Sequence, residues 1–200
     1  MPSSPWLAKR LAHPMSLRPK SAEPLQILEA GPGTGALTTE IVRHLRPGDH
    51  LTLCEINVCF IRHLKERLVH DSALAPWAHQ ITIHQGPVEE MGAEDYFDHI
   101  ISGLPFNNFP PDLVRKIFEA FMQAAKPHGT VSFFEYVGIR KLKAPFLSDF
   151  ERERLNEVES IIAEYMGRGE RHMTLLNLPP AWACTLRAPR IPAAAVGAVA

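Results

Sequence analysis

Leu25–Gly35 reads LQILEAGPGTG, and this stretch decides the fold. The apolar run Leu25–Ala30 has the length of a buried strand. Gly31, Gly33 and Gly35 follow, and then Leu37, Ile41, Val42 and Leu45 recur at helical spacing. Strand, glycine turn and helix in direct succession open a strand–helix–strand unit. Glycine allows a sharp turn and leaves no Cβ between the backbone and a ligand. In open α/β sheets, ligands bind at the carboxyl ends of the strands, where this turn sits. Two acids frame it: Glu29 stands just before the glycines, and Glu55 ends a second apolar run, Leu51–Glu55, 20 residues after Gly35. A carboxylate so placed can accept both hydroxyl protons of a ribose. The spacing GxGxG is not the dinucleotide fingerprint GxGxxG, and no Gly-Lys-Ser/Thr follows, so the turn is no P-loop.

The alternation continues outward. Arg46-Pro47-Gly48 stops the first helix, and Asn57 opens a second that runs to about Val69. Gln80–His84, Phe97–Ser102 and Thr130–Tyr136 read as further strands. Pro110-Pro111-Asp112 opens a helix with Leu113, Ile117, Phe118, Phe121 and Met122 on one face; Pro127-His128-Gly129 ends it. Asp149 is placed as the cap of a last helix with Val158, Ile161, Ile162 and Tyr165 inward. Strands near His172–Leu178 and Trp182–Arg187 close the pattern. No helix separates them, so they pair antiparallel. The expected fold is α/β: a Rossmann-like, doubly wound, seven-stranded sheet, mostly parallel with an antiparallel C-terminal strand. Residues 21–187 form its domain. Residues 1–20 are a basic amphipathic segment, and 188–200 a disordered tail poor in charge.

A chain of 200 residues with 46% hydrophobic and 22% charged residues is globular and large enough to bury a core without staples. A net charge of −1 disfavours a surface built to grip nucleic acid. The three cysteines contain no CxxC pair and suit a reducing compartment. The ten histidines form no HExxH, so no metal is expected. No run approaches a membrane span, and no signal-peptide core is seen.

EAGPGTG (Glu29–Gly35) resembles the first motif of class I S-adenosylmethionine methyltransferases. The resemblance implies that Glu29 helps hold the methionine amino group, with Gly31, Gly33 and Gly35 lining the cofactor, and that Glu55 holds the ribose, with Ile56 beside it. Where the family often has Gly-Asp after strand three, this chain reads Gln85-Gly86-Pro87-Val88-Glu89. The Val88 backbone and Glu89 are the substitutes. After strand four stands SGLPFNNF, Ser102–Phe109. Its Leu104-Pro105-Phe106 core resembles the [N/D/S]-[L/P]-P-[Y/F] loop of amine-methylating enzymes, with a glycine inserted. There the polar residue and backbone carbonyls hold the target amine and the aromatic ring packs on it. Those roles fall to Ser102, Leu104, Phe106, Asn107 and Phe109. Ser102 replaces the Asn or Asp of the nucleic-acid enzymes. SGLPFNNF, Asn177-Leu178-Pro179-Pro180-Ala181 and Tyr136-x-Gly138 are together similar to bacterial phospholipid N-methyltransferases, relatives of the ribosomal RNA adenine dimethylases.

The resemblance implies a methyl transfer to the amine of a membrane lipid, such as phosphatidylethanolamine or an amino-acid lipid. S-adenosylmethionine is the implied cofactor. Water, Tyr136, Glu135 or a loop carbonyl could take the amine's proton. Phe106, Phe109, Tyr136 and Trp182 could wall a quaternary ammonium. Arg140, in the basic run with Lys141 and Lys143, is assigned to a headgroup phosphate. In residues 3–13, Ser4 caps a short helix bearing Trp6, Leu7 and Leu11 beside Lys9 and Arg10. This helix either lies in a headgroup plane, packs on the domain, or covers the cofactor. The expectation is a cytoplasmic monomer held peripherally on the inner face of an anionic membrane. A small-molecule or protein amine is the alternative substrate, and a cofactor-binding relative without activity a further one. RNA is disfavoured, because only 13 residues follow Arg187 and the dimethylases carry a further RNA-binding domain.

Overall fold

A computed structural model describes residues 4–19, 23–137, 148–167, 169–177 and 179–188. Seven strands form one sheet: β1 (Gln26–Ala30), β2 (His50–Glu55), β3 (Ile81–Gln85), β4 (Phe97–Ser102), β5 (Ala125–Tyr136), β6 (Glu170–Thr174) and β7 (Ala181–Arg187). Their order is β3-β2-β1-β4-β5-β7-β6. The first five are parallel, and β7 runs antiparallel to both β5 and β6. This is the Rossmann-like architecture expected, including the antiparallel closing strand. The glycine turn leaves β1 where the strand order reverses, which is the ligand-binding crevice of such sheets.

Continuous apolar strands arise because helices cover both faces. Leu28, Ile100, Phe133 and Cys184 face α5 (Pro111–Ala124) and α6 (Asp149–Met166). Their neighbours Ile27, Ile101, Phe134 and Ala183 face the opposite layer. That layer comprises α1 (Pro5–Leu11), α2 (His13–Ser16), α3 (Ala36–Ile41) and α4 (Val58–His70). Ser4 caps α1 as the sequence implies, accepting a hydrogen bond from the Leu7 N–H. The apolar side of α1 lies in the core: Leu7 and Leu11 are fully buried with Met15 beside Ile27, Leu37 and Ile41. Burying each such side chain is worth roughly 1.5–3 kcal/mol. Of the readings open for this helix, packing on the domain is the one realised for Leu7 and Leu11.

Several boundaries differ from the sequence reading. Ser148, not Asp149, caps α6, in a reciprocal capping box with Glu151. α3 tightens to a 3₁₀ turn over Val42–His44. A second 3₁₀ turn, Ala75–Gln80, carries no periodic signal in the sequence. β5 begins at Ala125, so Pro127-His128-Gly129 lies inside the strand and not in a turn. The pairing with β4 shifts between Phe97 and His99, and His128 adopts φ +68°, the signature of a bulge that takes up the extra residues. β6 stops at Thr174, four residues short of the expected end, because the Asn177 side chain turns the chain by accepting from the Ser4 N–H and donating to the Pro179 carbonyl. The expected tail beyond Ala188 lies outside the described residues.

Candidate active site

The carboxyl ends of β1, β2 and β4 converge on the glycine turn. Gly31 N–H donates to the Cys54 carbonyl at 2.9 Å, and Gly103 N–H to the Ala30 carbonyl at 2.8 Å. Gly31 adopts φ +70°, and a Cβ there would stand 2.5 Å from Leu104 Cδ2. A Cβ on Gly103 would stand 2.7 Å from the Gly31 carbonyl oxygen. The inserted glycine of the β4 loop is therefore what lets that loop lie against the glycine turn. At Gly33, φ +55°, a Cβ would meet nothing within 4 Å, so the turn opens onto free space.

Both acids are at this crevice. Glu55 Oε2 accepts the Gly33 N–H at 3.0 Å and Oε1 accepts the Asn57 N–H at 2.9 Å. Each oxygen keeps a further lone pair for a hydroxyl donor. Glu29 is fully buried, and neither carboxylate oxygen has a hydrogen-bond partner among the described residues; the Thr38 hydroxyl beside it has none either. Burial pushes the Glu29 carboxyl up to about 8; the Thr38 hydroxyl and N–H, near it but outside hydrogen-bond geometry, offset part of the rise and the Glu55 charge adds to it. A buried carboxyl without partners costs stability unless a donor or cation arrives.

The remaining residues frame the crevice or stand back from it. Val88 is buried and Glu89 half-buried after β3, while Ile56 is exposed. The Cys54 thiol donates to the Gly86 carbonyl at 3.3 Å and ties that loop down; burial pushes the thiol up to about 12, so it is inert. Ser102 is buried, and its hydroxyl accepts the Leu104 N–H at 3.2 Å. It shapes the loop. Phe106 departs from expectation: its ring is buried in the core, 5.0 Å from Phe118 and 5.9 Å from Phe133. It does not wall the cleft. Phe109 leans edge-on against it at 6.4 Å. Tyr136 and Trp182 border one crevice of about 720 Å³ with Glu135 and Arg171. Burial raises the Tyr136 phenol above its ordinary value, so it stays protonated at neutral pH and can donate a hydrogen bond but is no general base. Glu135 receives the Cys184 thiol and lies 3.7 Å from Arg171. Arg140, and with it the headgroup-phosphate assignment, lies outside the described residues.

Two arginines that carried no signal in the sequence hold the loops. Arg67 donates to the Thr34 and Gly35 carbonyls at 3.0 and 2.8 Å and to the Thr39 hydroxyl. It also pairs with Asp71 at i,i+4, which holds the guanidinium beside the turn. Arg154 of α6 donates to the Asn107 and Phe109 carbonyls at 3.1 and 2.9 Å and pins the β4 loop.

Residues 27–129 match the family model described as a methyltransferase domain. The chain belongs to this family. It is a class I, S-adenosylmethionine-dependent methyltransferase domain, and S-adenosylmethionine is its cofactor. The ornithine lipid N-methyltransferase of Singulisphaera acidiphila is 28% identical over 129 residues, which are 64% of this chain and 65% of that protein, a little under two thirds of its length. Solved structures share the fold at low identity. The O-methyltransferase from Bacillus cereus in complex with SAH superposes with a TM-score of 0.68 at 15% identity, over 92% of this chain and 81% of that one. A putative O-methyltransferase from Klebsiella pneumoniae gives 0.62 at 18% identity, over 96% and 92%. Spermidine synthase from Thermotoga maritima gives 0.62 at 17%, over 94% and 61%.

The crevice of this methyltransferase domain fits the cofactor on its own chemistry. The partnerless buried carboxyl of Glu29 suits an amino group, and the open space at Gly33 beside Glu55 suits a nucleoside sugar. Among the described residues, no cluster of His, Cys, Asp or Glu could hold a metal ion.

Proposed function

We propose that this methyltransferase methylates the amine headgroup of a membrane lipid, such as phosphatidylethanolamine or an amino-acid lipid, as a peripheral protein on the inner face of the membrane. The observation that carries this reading is the match to a lipid N-methyltransferase over 129 residues of the chain. The β4 loop adds chemical support. Its Leu104 lies against Gly31 of the glycine turn, with Gly103 permitting the contact.

Bound S-adenosylmethionine supplies an electrophilic methyl on a sulfonium. The protein's task is alignment, worth roughly 7–11 kcal/mol when nucleophile, carbon and leaving group are held in line. Glu29 receives the amino-acid end, and Glu55 the sugar diol. Arg67 fixes the carbonyls of the turn between them. Carbonyls of the β4 loop accept hydrogen bonds from the target amine and orient its lone pair. Arg154 and the buried Phe106 ring hold that loop from the far side, and Ser102 caps its first turn. The amine sheds its proton to water before attack, and a loop carbonyl accepts a hydrogen bond from the remaining N–H; Tyr136, protonated at neutral pH, serves as a hydrogen-bond donor or an aromatic wall with Trp182.

The test is incubation with radiolabelled cofactor and total bacterial lipid, followed by chromatography. Label is expected in a lipid amine. Label in no lipid fraction, from protein shown to bind the cofactor, overturns the reading.

A further inference from the structure

We infer that the uncharged turn between β6 and β7, together with Trp6 at the start of α1, is the surface that seats this protein on an anionic bilayer; the choice of occupant rests on the lipid-amine reading above. Thr174–Pro180 contains no charged residue. Leu175 and Leu176 at its tip are 69% and 65% exposed, and Trp6 is 54% exposed. Large apolar side chains grouped in water mark an interaction site. These three are joined by a rigid link. The Ser4 N–H donates to Asn177 Oδ1 at 3.2 Å, and Asn177, itself buried, donates onward to the Pro179 carbonyl at 2.7 Å. The Val137 N–H holds the Pro180 carbonyl at 2.7 Å. The turn is therefore anchored on both sides and projects Leu175 and Leu176 outward.

Its position suits a lipid substrate. Ala181 pairs with Tyr136, so the turn lies at the carboxyl end of β5. That is the sheet edge bearing the glycine turn and the β4 loop. A bilayer touching this edge presents headgroups directly to the crevice. Charge agrees: Lys9 stands three residues after Trp6 on α1, and the first 20 residues contain no acid. The Lys9 ammonium lies 5.7 Å from the Trp6 ring, where it can face phosphates while the indole sits among the headgroups. Leu7 and Leu11, the face a sequence reading would give to the membrane, are buried and take no part. Phe150, exposed at the start of α6, is flanked by Asp149 and Glu151 and would be repelled from anionic lipid. Leu17 is exposed at the other end of the α1–α2 segment, beside Arg187 and Thr130, and serves as a control.

The experiment is co-sedimentation of the full chain with phosphatidylglycerol–phosphatidylcholine vesicles, with calorimetric binding of S-adenosylmethionine as the check on folding. The double variant Leu175→Asp/Leu176→Asp should lose vesicle partitioning by about a hundredfold, roughly an order of magnitude per leucine. Leu17→Asp should sediment like the wild type. Trp6→Ser gives an independent reading should the double variant fail to bind cofactor. Wild-type protein that stays in the supernatant, or turn and Trp6 variants that sediment normally, overturn the inference. Methyl transfer to a detergent-solubilised lipid amine separates the two readings. Its absence in wild type defeats the lipid-amine reading even if vesicles bind. Its persistence in a variant that has lost transfer on vesicles supports both.

Discussion

Glu29 sits in an environment unlike that of any other acid in the site: fully buried, raised to about 8, and without a hydrogen-bond partner. At neutral pH it is therefore mostly protonated in the cofactor-free protein. An arriving ammonium group reverses that preference, so cofactor binding releases a proton. The folded value lies above the ordinary carboxylate value, so the affinity for S-adenosylmethionine should rise with pH from the carboxylate range up to about pH 8 and then level off. Calorimetry at pH 7 in buffers of different ionisation enthalpy should show that proton release, and Glu29→Gln should abolish it while weakening binding tenfold or more. Phe106 illustrates the opposite case. Its motif resembles a substrate loop, but its ring is core, so Phe106→Ala should cost about 3–5 kcal/mol of stability in a denaturant titration. The ring's direction was hidden because an aromatic in a loop motif reads the same whether it faces a ligand or Phe118.

At the scale of elements, two helices govern the two loops of the site from a distance. Arg67 on α4 binds the glycine turn, and Arg154 on α6 binds the β4 loop. Their loss should separate two functions. Arg67→Met should raise the dissociation constant for S-adenosylmethionine about tenfold, with Arg67→Lys recovering part of it. Arg154→Met should leave cofactor affinity within about twofold and lower turnover instead. Equal loss of both properties in either variant would contradict this division. The glycine turn, the second acid and the helix starts were legible, since each is a local signal of residue type and spacing. The bulge that extends β5 to Ala125 was not, because Pro127-His128-Gly129 is equally a turn signal and only pairing with β4 distinguishes the two.

For the whole molecule, stability depends on groups that tie distant segments together. Asp49 is buried and binds Arg18 through both oxygens at 2.8 and 2.7 Å, while accepting the Leu25 and Arg46 N–H groups. This cluster fastens the segment after α2 to the start of β2. Asp49→Ala strands the largely buried Arg18 charge and should cost about 3–5 kcal/mol in chemical denaturation. His99 adds a pH dependence. Burial lowers it to about 4, and its Nδ1 lies 2.6 Å from the Thr130 hydroxyl. The folded value is below the unfolded one, so its contribution is present above about pH 6.5 and is lost as pH falls toward 4. Thermal melts across that range should show the decline, and His99→Gln should flatten it.

Residue order alone determined the alternation of strands and helices, the glycine turn with its two acids, and the antiparallel close. Each of these follows from local periodicity, turn chemistry and link length. Tertiary structure alone decided which side chains face the crevice. Burial is a property of what packs against a residue from elsewhere in the chain. It put Phe106 and the apolar side of α1 into the core, brought Arg67 and Arg154 onto the loops, and left Leu175, Leu176 and Trp6 facing water.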